Sequence, residues 1–111
     1  MKKNRRQHIR VCASHKVTVG RVGQAGEHMA KFPRVARTVD LSMGGVRLAT
    51  DNPLKSNTLV ELIFDKSFPQ NLHKATGLVS WCNKQIDEPG YQVGISFKNA
   101  EFIKDMSDFL N

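Results

Sequence analysis

Hydrophobic and polar positions alternate with a period of two along most of the chain, and turn residues interrupt the alternation at short intervals. That period places successive side chains on opposite faces of a strand. It predicts six strands, over 11–22, 34–41, 45–50, 58–64, 72–82 and 91–97. Gly20 and Gly23 are expected bend or bulge positions in the first strand. A polar connection, 24–33, carries Gly26 and Pro33 and is too short for a second domain. Asp51-Asn52-Pro53 and Asp87-Glu88-Pro89-Gly90 are turn signals. After position 98 the period changes. Phe102, Ile103, Met106, Phe109 and Leu110 fall on one stripe of a helix predicted over 99–110, with Asn99 as its N-cap and Glu101 near its N-terminus. Six short strands and one terminal helix imply an all-β domain, a six-stranded antiparallel β-barrel with the helix packed on it. Closure would remove the edges that short strands otherwise expose.

Composition adds limits. A chain of 111 residues with 40% hydrophobic and 24% charged positions is expected to form one soluble domain with a real core. No apolar run approaches a membrane span and no signal segment follows the basic N-terminus, so a cytoplasmic location and no membrane insertion are expected. Cys12 and Cys82 sit in apolar, strand-like stretches and read as small buried hydrophobes rather than a disulfide or a zinc site. Charge is unevenly placed. Positions 1–50 hold eleven Lys or Arg against two acids, whereas 51–111 hold six against eight. Residues 1–10 alone contain Lys2, Lys3, Arg5, Arg6 and Arg10, with Ile9 the one strongly apolar side chain beyond Met1. This segment is expected to be a flexible basic arm preceding a domain over 11–111, suited to an anionic partner.

Candidate chemistry concentrates in two places. In Asp40-Leu41-Ser42-Met43-Gly44-Gly45-Val46-Arg47-Leu48 the alternation puts Asp40 and Ser42 on one face of a strand end, with Val39 and Leu41 on the other. Gly44 and Gly45 can take the positive φ of a tight turn and allow a ligand close to the backbone. Arg47 points to the same side as the polar pair. Turn chemistry alone also accounts for an Asp, a Ser and two glycines here, because both side chains bond local backbone in turns. The second place is the arm. Arg6 and Arg10, four apart, share a side whether the segment is extended or helical, and Arg5 lies opposite Arg6 in an extended segment. A guanidinium bonds bidentately to phosphate or to the O6/N7 edge of guanine.

Together these residues resemble the PilZ domain family, bacterial receptor modules for cyclic di-GMP. The family's RxxxR motif matches Arg6-Gln7-His8-Ile9-Arg10, preceded here by Arg5. Its D/NxSxxG motif matches Asp40, Ser42 and Gly45, roughly thirty residues downstream. Gly77-Leu78-Val79-Ser80-Trp81 and Tyr91-Gln92-Val93-Gly94-Ile95-Ser96-Phe97 look like its paired late strands before the terminal helix. The resemblance implies that Arg6 and Arg10 hold phosphates and guanine edges while Asp40 and Ser42 read a guanine. It implies no cofactor beyond the ligand. Physical chemistry agrees: an ionised carboxylate accepts from guanine N1–H and the exocyclic amine, a pair of donors adenine lacks. Arg5 is expected to hold a second ligand molecule stacked on the first, giving two per chain. With no output module in this chain, the signal is expected to pass to an effector protein through ordering of the arm.

Two other classes compete with this reading. A nucleic-acid-binding barrel has the net charge of +7 behind it. Against it, Phe32, Phe64, Phe68, Trp81, Tyr91 and Phe97 fall mostly at strand or core positions rather than among the basic residues, as a stacking surface requires. An enzyme fits worst. His8, His15, His28 and His73 lack metal-ligand spacing, and Ser42 has no evident general base.

Overall fold

A computed structural model describes residues 14–21 and 34–110. The arm over 1–10 with Arg5, Arg6 and Arg10, Cys12 and the connection 24–33 lie outside the described residues. Six antiparallel strands, β1 (Lys16–Arg21), β2 (Arg34–Ser42), β3 (Gly45–Thr50), β4 (Leu59–Phe64), β5 (Lys74–Lys84) and β6 (Tyr91–Phe97), are followed by helix α1 (Ala100–Leu110). Their order around the sheet is β1-β2-β3-β6-β5-β4, and β4 pairs back with β1 to close the barrel. Closure leaves no free edge, as the short strands require.

The interior follows from the alternation. β3 and β4 bury every second residue, and Val17, Val19, Leu48, Val60, Leu62, Phe64, Val79 and Val93 are fully enclosed. Removing each such side chain from water contributes about 1.5–3 kcal/mol. α1 caps the end of the barrel where β4 and β6 finish. Phe102 meets Phe97 edge-on at 4.8 Å and stacks over Phe64 at 6.1 Å, and Met106 is fully buried beside them. Asn99 occupies the helix N-cap position, its carbonyl accepting the Ile103 N–H at 3.0 Å. Its side-chain oxygen accepts the Thr76 N–H at 2.8 Å and so ties the helix start to β5.

Several expectations are corrected. β1 begins at Lys16 rather than 11, because Ser14 and His15 precede the strand. Gly20 lies in regular pairing opposite Glu61, so it is not a bulge. Leu72 belongs to a 3-10 turn, Gln70–Leu72, which buries it before β5 starts at Lys74. The apolar stripe of α1 is not covered throughout, since Phe109 remains 48% exposed.

The largest correction is to the faces of β2. A bulge inserts Val39 between Thr38, opposite Leu48, and Asp40, opposite Arg47. An extra residue reverses the alternation beyond it. Thr38 therefore points inward before the bulge and Leu41 inward after it, and Val39 does not share a continuous face with Leu41.

Candidate functional site

The bulge turns Asp40 onto the outer surface of the barrel, in the same cross-strand row as Arg47 of β3, Gly94 of β6 and Trp81 of β5. A neighbouring row brings Ser42, Gly45 and Ser96 together. A second bulge, between Val79 and Trp81, does for β5 what the first does for β2. It leaves Ser80 out of the ladder, with its hydroxyl 2.8 Å from that of Ser96. The result is an open depression of about 380 Å³ whose lining includes Asp40, Ser42, Gly45, Arg47, Trp81 and Ser96.

Its electrostatics centre on one ion pair. Arg47 Nη2 donates to Asp40 Oδ2 at 2.5 Å, with the carboxylate side chain 5% exposed and the arginine 40%. Cross-strand pairing supplies the approach, and the buried carboxylate is satisfied by a charge-assisted bond. Arg47 Nε is buried and makes no hydrogen bond among the described residues.

The glycines act differently from the expectation. Neither Gly44 nor Gly45 has a positive φ. Gly45 is required for space, because a Cβ there would lie 2.4 Å from the Ile95 carbonyl oxygen, whereas one on Gly44 would meet nothing within 4 Å. Gly44 contributes its carbonyl, which accepts the Phe97 N–H at 3.0 Å. Ser42 Oγ donates to the Gly45 carbonyl at 3.3 Å, the local turn bond that the sequence allowed.

Trp81 was missed as a site residue because its strand pattern suggested packing. It is 38% exposed on the outer face and lies against Gly94, where a Cβ would fall 2.2 Å from the indole nitrogen. No local signal marks it, because its partner Gly94, which has no side chain, is set by cross-strand pairing.

The start of β1 is tied to β2. His15 N–H donates to Thr38 Oγ1 and its carbonyl accepts the Thr38 N–H, both at 2.9 Å, immediately before the β2 bulge. Ser14 is held against the same strand, with Arg37 Nη1 donating to Ser14 Oγ at 3.3 Å. Asp65 secures the same junction by accepting the Lys16 N–H at 3.3 Å. The Ser67 hydroxyl, chiefly, holds the Asp65 carboxyl below its ordinary 3.8; burial opposes it as the next-largest influence, and the Ser67 and Lys16 backbone N–H groups and His15 add smaller lowering effects. The structure therefore brings Asp40, Ser42, Gly45 and Arg47 into one depression, with Gly44 in the adjoining turn. Among the described residues no cluster of His, Cys, Asp or Glu is arranged to hold a metal ion, and no helix is long and apolar enough to cross a membrane.

Solved structures share this architecture at low sequence identity. The Bacillus subtilis inhibitor of motility MotI/DgrA matches with a TM-score of 0.68 and 12% identity, over 94% of this chain and 48% of that one. The PilZ domain of YcgR from Escherichia coli, solved with c-di-GMP, matches with a TM-score of 0.63 and 11% identity, over 96% and 88%. MrkH of K. pneumonia in its apo state gives 0.61 and 16%, over 99% and 50%. The chain thus spans about half the length of MotI and of MrkH. No curated protein matches the sequence. The family model described as PilZ domain matches residues 4–107, nearly the whole sequence, and together with the closed six-stranded barrel and its terminal helix this places the chain in the PilZ domain family.

Proposed function

We propose that this protein is a non-enzymatic receptor for cyclic di-GMP, with an arm over 1–10 and a barrel domain over 11–111. The observation that carries the reading is the convergence of Asp40, Ser42, Arg47 and Trp81 on one outer depression. Family membership and the c-di-GMP-bound YcgR domain support the same ligand. Asp40 accepts from the N1–H and exocyclic amine of one guanine, and Ser42 and the adjoining turn bound the base. Arg6 and Arg10 reach the phosphates and the O6/N7 edge from the arm. The exposed part of the indole of Trp81 offers a stacking surface for a base. Trp81→Ala is expected to weaken binding by about 1–3 kcal/mol, the usual worth of a base–aromatic stack. Calorimetry on the variant, with a thermal melt to verify folding, checks this.

Signalling to an effector protein would follow from the arm. A dianionic ligand neutralises the repulsion among Arg5, Arg6 and Arg10 and gives each guanidinium a partner, so the arm closes over the ligand and presents a new surface. Hydrogen exchange across residues 2–11 is expected to slow at saturating cyclic di-GMP, and unchanged exchange would remove the arm as the switch. Arg5 would hold a second molecule, for which a fitted stoichiometry of two is the expected result.

One observation favours a second reading. Trp81 is an exposed aromatic that shares its depression with Arg47, a local arrangement suited to single-stranded nucleic acid. Binding of a DNA oligomer with a steep salt dependence, and no response to cyclic di-GMP, would support that alternative.

A further inference from the structure

Closure protects strand edges only where neighbouring strands overlap, and β5 outruns one of its neighbours. β4 pairs with it from Lys74 to Leu78. One further residue is bonded on that side: Val79 N–H donates to the Thr58 carbonyl at 2.9 Å, and the Val79 carbonyl accepts the Asn57 N–H at 2.7 Å. There Asn57 takes a left-handed φ of 69°, and the chain leaves β5. β5 nevertheless continues to Lys84, paired on its other side with β6 as far as Tyr91. Successive residues of an antiparallel ladder bond to alternate sides. Gln85 N–H donates to the Gly90 carbonyl at 3.0 Å on the β6 side. The N–H and C=O of Lys84, and of Cys82 two residues earlier, therefore point to the open side. Among the described residues no backbone group meets them.

Such an edge is a template for another strand, and lysine is its usual guard. Here Lys84 Nζ is drawn over its own cross-strand neighbour, 5.6 Å from the Tyr91 ring centroid, and so away from the edge. The edge is also complementary to itself. Around a twofold axis at Asn83, Cys82 of each copy stands opposite Lys84 of the other, and both residues present their free backbone groups to each other. Moving the axis to Lys84 would set two like charges opposite, and moving it to Cys82 would set the bulged Ser80 against Lys84. In the Asn83 register the hairpin tip of one copy, with Ile86 93% exposed and then Asp87 and Glu88, runs towards Asn57 of the other, two residues from the exposed Lys55. In a chain of net charge +7, acids and a lysine thus meet at both ends of the pairing.

We propose that the β5 edge from Cys82 to Lys84 is a self-association surface, on which a second copy of this chain adds its own β5 antiparallel about Asn83 to make one continuous sheet across the twofold axis. The pairing goes beyond the receptor reading and does not depend on it. So short an edge lies below the roughly 1,000 Å² of a stable interface, so the dimer is reversible and concentration-dependent.

The test is sedimentation of the full-length protein without ligand from roughly 10 μM to 1 mM, the range of a weak contact. The expected result is a monomer that converts to a dimer as concentration rises. Lys84→Pro removes an N–H that the monomer does not use, so it is expected to abolish the dimer without lowering the melting temperature. Register is read by cross-linking in a chain carrying Cys12→Ser and Cys82→Ser. Residues opposite each other in a non-hydrogen-bonded pair lie about 4.5 Å apart at Cα, within the reach of a disulfide. Asn83→Cys is therefore expected to give a covalent dimer under mild oxidation, and Gln85→Cys, far from its own copy, is not. A monomer at every concentration would overturn the proposal. A dimer that survives Lys84→Pro, or that cross-links no better through Asn83→Cys than through Gln85→Cys, would overturn it as well.

Discussion

Arg10→Ala is expected to weaken cyclic di-GMP binding severely while leaving the fold unchanged. The proposed function assigns the arm motif charge-assisted bonds to the ligand, and a lost bidentate base contact alone costs about 1–3 kcal/mol, with the phosphate contribution added. The core among the described residues is built from the six strands and α1 together with Leu54, Phe68 and Leu72, so thermal stability should hardly respond. Arg6→Ala should behave in the same way. The check is calorimetry paired with a thermal melt. Wild-type affinity in Arg10→Ala would refute the role given to the motif.

Asp40→Asn is expected to damage specificity more than any other single change. The carboxylate offers two acceptors where guanine offers two donors, and a carboxamide replaces one acceptor with a donor that opposes them. Discrimination between cyclic di-GMP and cyclic di-AMP should fall by about 1–3 kcal/mol. Asp40→Ala should do the same and also lower stability by about 1–2 kcal/mol, because Arg47 loses its 2.5 Å partner while its exposure lets water replace part of the bond. Competition titrations with the two cyclic dinucleotides measure the first effect and urea unfolding the second. A variant that discriminates as sharply as wild type would reduce Asp40 to a structural partner of Arg47.

Much of this was legible in the sequence, and the reasons are specific. The strands with clean alternation, β3 and β6, fall where the period put them, because each has one face in the core. The helix was legible from its change of period, and the asparagine before it from position alone. The bulges were not. Val39 and Ser80 look like ordinary strand residues, yet each shifts the register of everything after it, and that shift decides that Asp40 and Trp81 share an outer row. Trp81 reads locally as a strand or core residue, since its exposure depends on Gly94 across the ladder, a long-range pairing that a local pattern cannot show. The turn glycines do not take the positive φ expected of them. Gly45 is needed for its missing side chain against Ile95, not for a left-handed backbone.

The central claim is that this barrel binds cyclic di-GMP, and a calorimetric titration of the folded protein tests it most directly. GTP, cyclic di-AMP and a short DNA oligomer serve as controls. The account predicts saturable heat with cyclic di-GMP, and weaker or no response to each control at the same concentration. Absence of heat at roughly tens of micromolar cyclic di-GMP, where a receptor-grade affinity would saturate, would contradict it.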